Sequence, residues 1–180
     1  WKSAEAQKQI AVWARAAAGR ADAHNVRCLM FGMNMNNVAV TDGDRVEFEQ
    51  RMGYHVDYYP VSSLMDYFKK VTDAEADALV EEYKKLYTIK IDESGEKVYW
   101  EKVHNAAKAE IALRRVLKDE NATAFTTNFD DLGDADIDAP DFCGFDQIPG
   151  LASQRLMQEG YGFGAEGDWK TACLQRTLWV

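Results

Sequence analysis

The chain has 180 residues, 47% of them hydrophobic and 28% charged, and a chain of that length buries about 70% of its unfolded surface around one core. Its formal net charge of −9, with no Lys/Arg cluster to offset it locally, argues against nucleic acid and anionic membranes as partners. Cys28, Cys143 and Cys173 are widely spaced and form no C-x-x-C pair, so they read as reduced thiols of a cytoplasmic protein rather than a disulfide frame or a zinc site.

No apolar run approaches the roughly 18 residues of a spanning helix, and "WKSAEAQKQ" lacks the build of a signal peptide. The chain opens at Trp1 without an initiator Met and closes on "TLWV" within a helical pattern, from which a piece of a longer protein is expected. Ala6, Ile10, Trp13, Ala14 and Ala17 recur at helical spacing, with Ser3 as cap and Gly19 as stop, so residues 1–26 read as an opening helix and linker. "VRCLMFG" is a short apolar strand that delivers its C-terminal end into the Asn-rich "MNMNN", the natural ligand position of an open α/β sheet. "VAVT" reads as a second extended piece, "RVEFEQRMG" as a helix and "YHVDYYPV" as a strand.

A helix from Ser62 or Ser63 directs Leu64, Met65, Phe68 and Val71 inward. Thr72 and Glu75 form a T-x-x-E capping box, followed at helical period by Ala76, Leu79, Val80, Tyr83, Leu86 and Tyr87. After "KIDESGEK", a long helix places Val103, Ala106, Ala109, Leu113, Val116 and Leu117 on one face and pairs Glu110 with Arg114 at i, i+4 on another. "ATAFTTNF" reads as a buried strand, residues 133–145 as an acidic insertion loop, Leu151 to Glu159 as a helix, and "GYGFGAEG" as a tight loop before the last helix. Strands alternating with helices predict one α/β domain over 1–180, with a doubly wound, mostly parallel sheet flanked by helices.

Glu166 stands among Gly162, Gly164 and Gly167, while Asp168 is free to cap the following helix. A carboxylate so placed can ligate a hard divalent cation or act as a general base, or it can be a solvated acid favoured by the helix N-terminus. Thr126 and Phe129, in "TTNF", could bond and stack a polyol, and are equally ordinary strand residues. The "MNMNN" amides could hold hydroxyls or simply suit a turn. His24, His55 and His104 are dispersed and suggest no triad. The acidic run lacks the twelfth-position glutamate of a calcium loop, and neither phosphate-binding glycine motif follows a strand.

Three stretches, "FGMNMNNVAVTDGDRVEFEQRMGYHV", "AFTTNFDDL" and "QIPGLASQRLMQEGYGFGAEGDWKTA", together resemble the central part of the bacterial L-arabinose isomerase family, in the same order and over nearly the whole chain. The resemblance implies a cytoplasmic aldose-ketose isomerase that interconverts L-arabinose and L-ribulose, and a Rossmann-like fold for this part of it. It implies dependence on a divalent metal, manganese preferred, and a homohexamer of three-domain subunits. Glu166 then matches the first of two catalytic glutamates that also bind the metal, Met35 and Phe129 match residues lining the sugar pocket, and Thr126 falls at the pocket wall. The second glutamate and two metal-binding histidines lie downstream of this sequence, so the 180-residue chain alone is expected to be inactive and to bind the metal weakly. Where the family usually has Asp and Arg, this chain has Met33 and Asn36. The competing reading is a non-catalytic, Rossmann-like sugar-binding or assembly module in which Glu166 is a loop acid.

Overall fold

The computed structural model describes residues 1–91, 93, 95–128, 130–132 and 149–180. Helix α1 (Ala4–Ala23) leads into strand β1 (Arg27–Phe31), and a short 3-10 turn (Ala39–Thr41) precedes α2 (Arg45–Met52) and β2 (His55–Tyr59). Helices α3 (Val61–Phe68), α4 (Asp73–Leu86) and α5 (Glu96–Asp119) follow, then β3 (Ala124–Thr127), α6 (Gly150–Gln158), β4 (Gly162–Gly164) and α7 (Trp169–Trp179). The four strands form one parallel sheet in the order β2-β1-β3-β4.

Side-chain alternation in β1 explains the layers. Leu29 and Phe31 point to the face covered by α3, α5 and α6, packing with Leu64, Leu113, Leu117 and Leu156. Cys28 and Met30 point to the face covered by α1, α2 and α7, packing with Ala23, Tyr54, Trp169 and Cys173. A parallel strand buried on both faces reads as a continuous apolar run, which is why "CLMF" shows no polar alternation. The chain thus covers one face between β1 and β2 and the other between β2 and β3, giving the doubly wound arrangement that the sequence pattern predicts and the Rossmann-like fold that the resemblance implies. Among the described residues no helix is long and apolar enough to cross a membrane.

The caps are local and sequence-encoded. Asp44 and Thr72 accept the amides of Glu47 and Glu75 at 3.0 and 3.3 Å, and Glu75 returns a bond to the Thr72 amide at 2.9 Å. Asp168 caps α7 through the Thr171 amide at 3.0 Å.

Three expectations change. Gly19 does not stop α1; it lies within the helix, where a β-carbon would sit 3.3 Å from Thr177 Cγ2, so its role is close packing against α7. Only Gly19 and Ala23 of α1 are buried, and residues of its helically spaced set stay open, with Ile10 57% and Trp13 78% exposed. "VAVT" is no strand, because the amide and hydroxyl of Thr41 both fold back to the Val38 carbonyl, at 3.1 and 2.8 Å. The "GYGFG" loop is the edge strand β4, paired to β3 through Ala124–Gly162 and Thr126–Gly164. Phe129, Cys143 and the acidic insertion at 133–145 lie outside the described residues.

Candidate functional site

Ligands of open α/β sheets bind beyond the C-terminal ends of the strands, where successive connections leave to opposite faces. Here that point lies between β1 and β3, and three loops meet there: residues 32–44 after β1, the residues after β3, and residues 165–168 after β4.

The glycines around Glu166 do not open space for a ligand. A β-carbon on Gly162 would lie 2.0 Å from the Ala172 carbonyl oxygen, and one on Gly164 would lie 2.0 Å from that of Asp168. They are glycine because α7 rests directly on β4. Gly167 has φ 78°, and a β-carbon there would stand 2.7 Å from Asn34 Cα. The close approach that these glycines permit is therefore made by the protein itself.

Glu166 is half-buried with φ 64°, a left-handed conformation that costs a residue with a β-carbon. Its carbonyl accepts the Met35 amide at 3.3 Å, while the Gly167 amide donates to the Thr127 carbonyl at 3.0 Å. Among the described residues its carboxylate takes neither a hydrogen bond nor an ion pair. Asp168, two residues on, is fully used by its cap. Among the described residues, Glu166 is thus the acid of this loop whose side chain has no structural partner.

The structure joins Glu166 to Met35 through that main-chain bond. Met35 is half-buried and lines a cavity of about 430 Å³ together with Met33, Asn34, Tyr58, Asn128 and Asp131. Thr126 is fully buried, and its hydroxyl donates to the Gly164 carbonyl at 2.5 Å, so in this chain it braces the β3–β4 pair that carries Glu166. Phe129 belongs to the undescribed residues. The histidines stand elsewhere: His55 bridges Glu49 and Asp57 at 3.1 and 3.0 Å, and His104 lies 3.5 Å from Asp77.

The site also contains residues that sequence reasoning passed over. Asp131 Oδ2 accepts the Met33 amide and the Asn128 side-chain amide, both at 2.6 Å, and the Asp131 amide donates to Asn128 Oδ1 at 2.7 Å. This Asn-x-x-Asp pair ties the β1 loop to the β3 loop; its signal was an Asn directly after a strand. Lys170 donates to the Val40 carbonyl at 2.6 Å and also to that of Asp42, fixing the far end of the β1 loop to α7.

Among the described residues the fully buried charge lies outside these loops. Glu110, fully buried on α5, accepts from Tyr83 Oη at 2.6 Å and from Arg114 Nε and Arg155 Nε at 2.9 Å each. Burial and the bond to Glu110 push the Tyr83 hydroxyl's pKa well up. Burial opposes the charge on Arg155, yet bonds to Glu110, Tyr87 and Glu82 raise its pKa further. Arg114 in turn holds Glu159 below the usual carboxylate range through paired bonds of 2.6 and 2.7 Å. Every member has a partner, so this cluster locks α4, α5 and α6 together and is no candidate for chemistry.

As a metal centre the described residues are incomplete: no three of His, Cys, Asp and Glu converge among them. An unpartnered, half-buried carboxylate nevertheless fits one oxygen donor to a hard divalent cation.

Comparison with known proteins assigns the chain to a family. The family described as L-arabinose isomerase central domain matches residues 27–180, beginning at the first residue of β1. Two relatives named L-arabinose isomerase, from Phocaeicola vulgatus and Bacteroides thetaiotaomicron, are 57% and 58% identical over the whole chain. Another of the same name, from Tolumonas auensis, is 43% identical over the whole chain. The chain spans about a third of these relatives, 35% of the first two and 34% of the third. With a doubly wound sheet that presents Glu166 at its C-terminal edge and a family match from β1 to the last residue, the chain belongs to the L-arabinose isomerase central-domain family.

Proposed function

We propose that this chain is the central domain of a metal-dependent aldose-ketose isomerase that interconverts L-arabinose and L-ribulose, with Glu166 as a catalytic, metal-holding carboxylate. The observation that carries the reading is the Glu166 side chain, unpartnered among the described residues and held on a left-handed backbone where three loops meet. The relatives' shared name supplies the reaction.

Isomerisation moves hydrogen between adjacent carbons of the sugar while charge develops on its oxygens. A divalent cation, Mn2+ by family resemblance, supplies Lewis-acid polarisation of those oxygens when bound. Glu166 would hold the cation through a carboxylate oxygen, and the same carboxylate would take up and return a proton at the sugar. Met35, with Phe129 by resemblance, would offer an apolar wall to the carbon skeleton. Thr126 acts one step back, fixing Gly164 and hence the start of the Glu166 loop. Glu166 is one donor of a larger set, so we infer that the remaining ligands come from outside these residues, from other domains of a homohexameric enzyme working in the cytoplasm. The isolated chain would then be silent and bind Mn2+ weakly, because affinity follows ligand number and geometry.

The test is L-arabinose to L-ribulose conversion, with and without Mn2+, by the complete protein and by the 180-residue chain. Mn2+-dependent turnover by the complete protein alone is the expected result. Turnover by the isolated chain contradicts the shared site, and a complete protein that binds L-arabinose without converting it favours the binding-module reading.

A further inference from the structure

The proposed chemistry assigns no role to the side chain of Asn34, yet that side chain joins the two halves of the site. Its amide nitrogen donates to the Gly167 carbonyl at 2.8 Å and to Thr41 Oγ1 at 3.3 Å. One contact fastens the residue after Glu166; the other fastens the turn that closes the β1 loop. Glu166 and Gly167 are successive left-handed residues, φ 64° and 78°. Such a pair persists only where its surroundings fix it.

Among the described residues, five hydrogen bonds do so. The Met35 amide donates to the Glu166 carbonyl at 3.3 Å, the Gly167 amide to the Thr127 carbonyl at 3.0 Å, the Asp168 amide to the Ala165 carbonyl at 2.9 Å, and both the Trp169 amide, at 2.9 Å, and the Asn34 side chain to the Gly167 carbonyl. The first four are main-chain bonds available to almost any sequence, while the Asn34 bond alone of the five ties the corner to the β1 loop through a side chain. That side chain must be short, because Gly167 packs against Asn34 Cα, and it must be a neutral donor, because its partners are oxygens. Among residues of this size, asparagine meets both conditions, whereas aspartate would set a carboxylate against a carbonyl.

We propose that Asn34 is a positioning residue for Glu166: its amide holds the left-handed Glu166–Gly167 corner against the β1 loop and so aims the carboxylate at the metal and sugar. This rests on the reading of Glu166 as a metal-holding carboxylate. Residues that orient a metal ligand from behind cost about 10–100-fold in affinity when removed. If Asn34 acts through Glu166, its removal has no effect once the carboxylate is gone.

The experiment is a double-mutant cycle on the complete isomerase, with Mn2+ affinity read by electron paramagnetic resonance for the parent, Asn34→Ala, Glu166→Ala and the double variant. Asn34→Asp, which preserves volume, serves as a second probe, and melting temperature and steady-state kinetics are recorded throughout. In the parent, Asn34→Ala and Asn34→Asp are expected to weaken Mn2+ binding about tenfold and to lower kcat with KM and melting temperature little changed. In the Glu166→Ala background the Asn34 change is expected to add less than about twofold. Equal weakening in both backgrounds, or none in either while Glu166→Ala weakens binding, overturns the positioning role and leaves the reading of Glu166 intact. If Glu166→Ala leaves both Mn2+ affinity and turnover at parent levels, the functional reading fails and the positioning role with it.

Discussion

Replacing Glu166 by glycine and by alanine separates its backbone role from its side-chain role. At φ 64° a residue with a β-carbon is strained by about 1–2 kcal/mol. Glycine is not strained there, but loses about 0.5–1 kcal/mol more conformational freedom on folding. The difference leaves Glu166→Gly about 0–1.5 kcal/mol more stable than Glu166→Ala, the reverse of their order in a helix interior. Alanine keeps the strain and the main-chain bonds, and the carboxylate has no partner among the described residues to lose, so Glu166→Ala should unfold close to the parent. For a domain of this size, 1 kcal/mol corresponds to roughly 2–4 °C in melting temperature. Thermal and urea unfolding of the chain, followed by circular dichroism, resolves differences of that size. An alanine variant more stable than the glycine variant, the order of a helix interior, refutes the left-handed conformation on which the positioning argument stands. Both variants remove the carboxylate, so in the complete protein both should lose turnover, whichever is more stable.

Other consequences lie elsewhere in the fold. Arg155→Ala leaves the fully buried Glu110 with fewer donors and should cost about 3–5 kcal/mol in urea unfolding; a loss under about 1 kcal/mol means the cluster tolerates the gap. Gly164→Ala forces a β-carbon to within 2.0 Å of the Asp168 carbonyl, so α7 must lift from β4, and the melting temperature should fall steeply; an unchanged value contradicts that contact. Arg114 holds Glu159 deprotonated below the usual carboxylate range, so this stabilisation is complete above about pH 4.3 and lost as pH falls through the lowered value. Arg114→Gln should flatten that acid limb, and identical acid unfolding of parent and variant counts against the pair. Burial, first of all, pushes the Cys28 thiol's pKa well up, and Cys173 is equally buried, so in a Cys143→Ser background thiol reagents should label the chain only as it unfolds.

Most of the architecture was legible because short-range physics encodes it. The Thr72–Glu75 box starts α4, the unbroken apolar run of β1 marks a strand covered on both faces, and the period of α5 marks its inner face. What escaped was set by long-range contacts. "GYGFG" carries the glycines of a loop, but they are selected by a helix lying on a strand, a fact held in Ala172 and Asp168 rather than in the segment itself. "VAVT" has strand residues, yet among the described residues it pairs with no strand and turns back as a 3-10 helix. Glu110 read only as half of an i, i+4 pair because nothing local announces Tyr83 and Arg155 converging on it. In the site, Glu166 was visible as an acid without a capping duty, whereas Asn34 and Asp131 bond partners more than 90 residues away in the chain, and no local pattern foretells them.

The measurement that bears most directly on the proposed site is the initial rate of L-arabinose conversion, at saturating Mn2+, by the complete protein carrying Glu166→Gln. Glutamine preserves size and shape and removes only the charge and the basic oxygen. A general acid-base group contributes about 10²–10⁴-fold, so a catalytic, metal-holding Glu166 predicts a rate reduced by at least that much with the fold intact. A rate within about twofold of the parent, far inside that range, would mean that the acid beside the last helix is a structural turn residue and that the chemistry resides elsewhere.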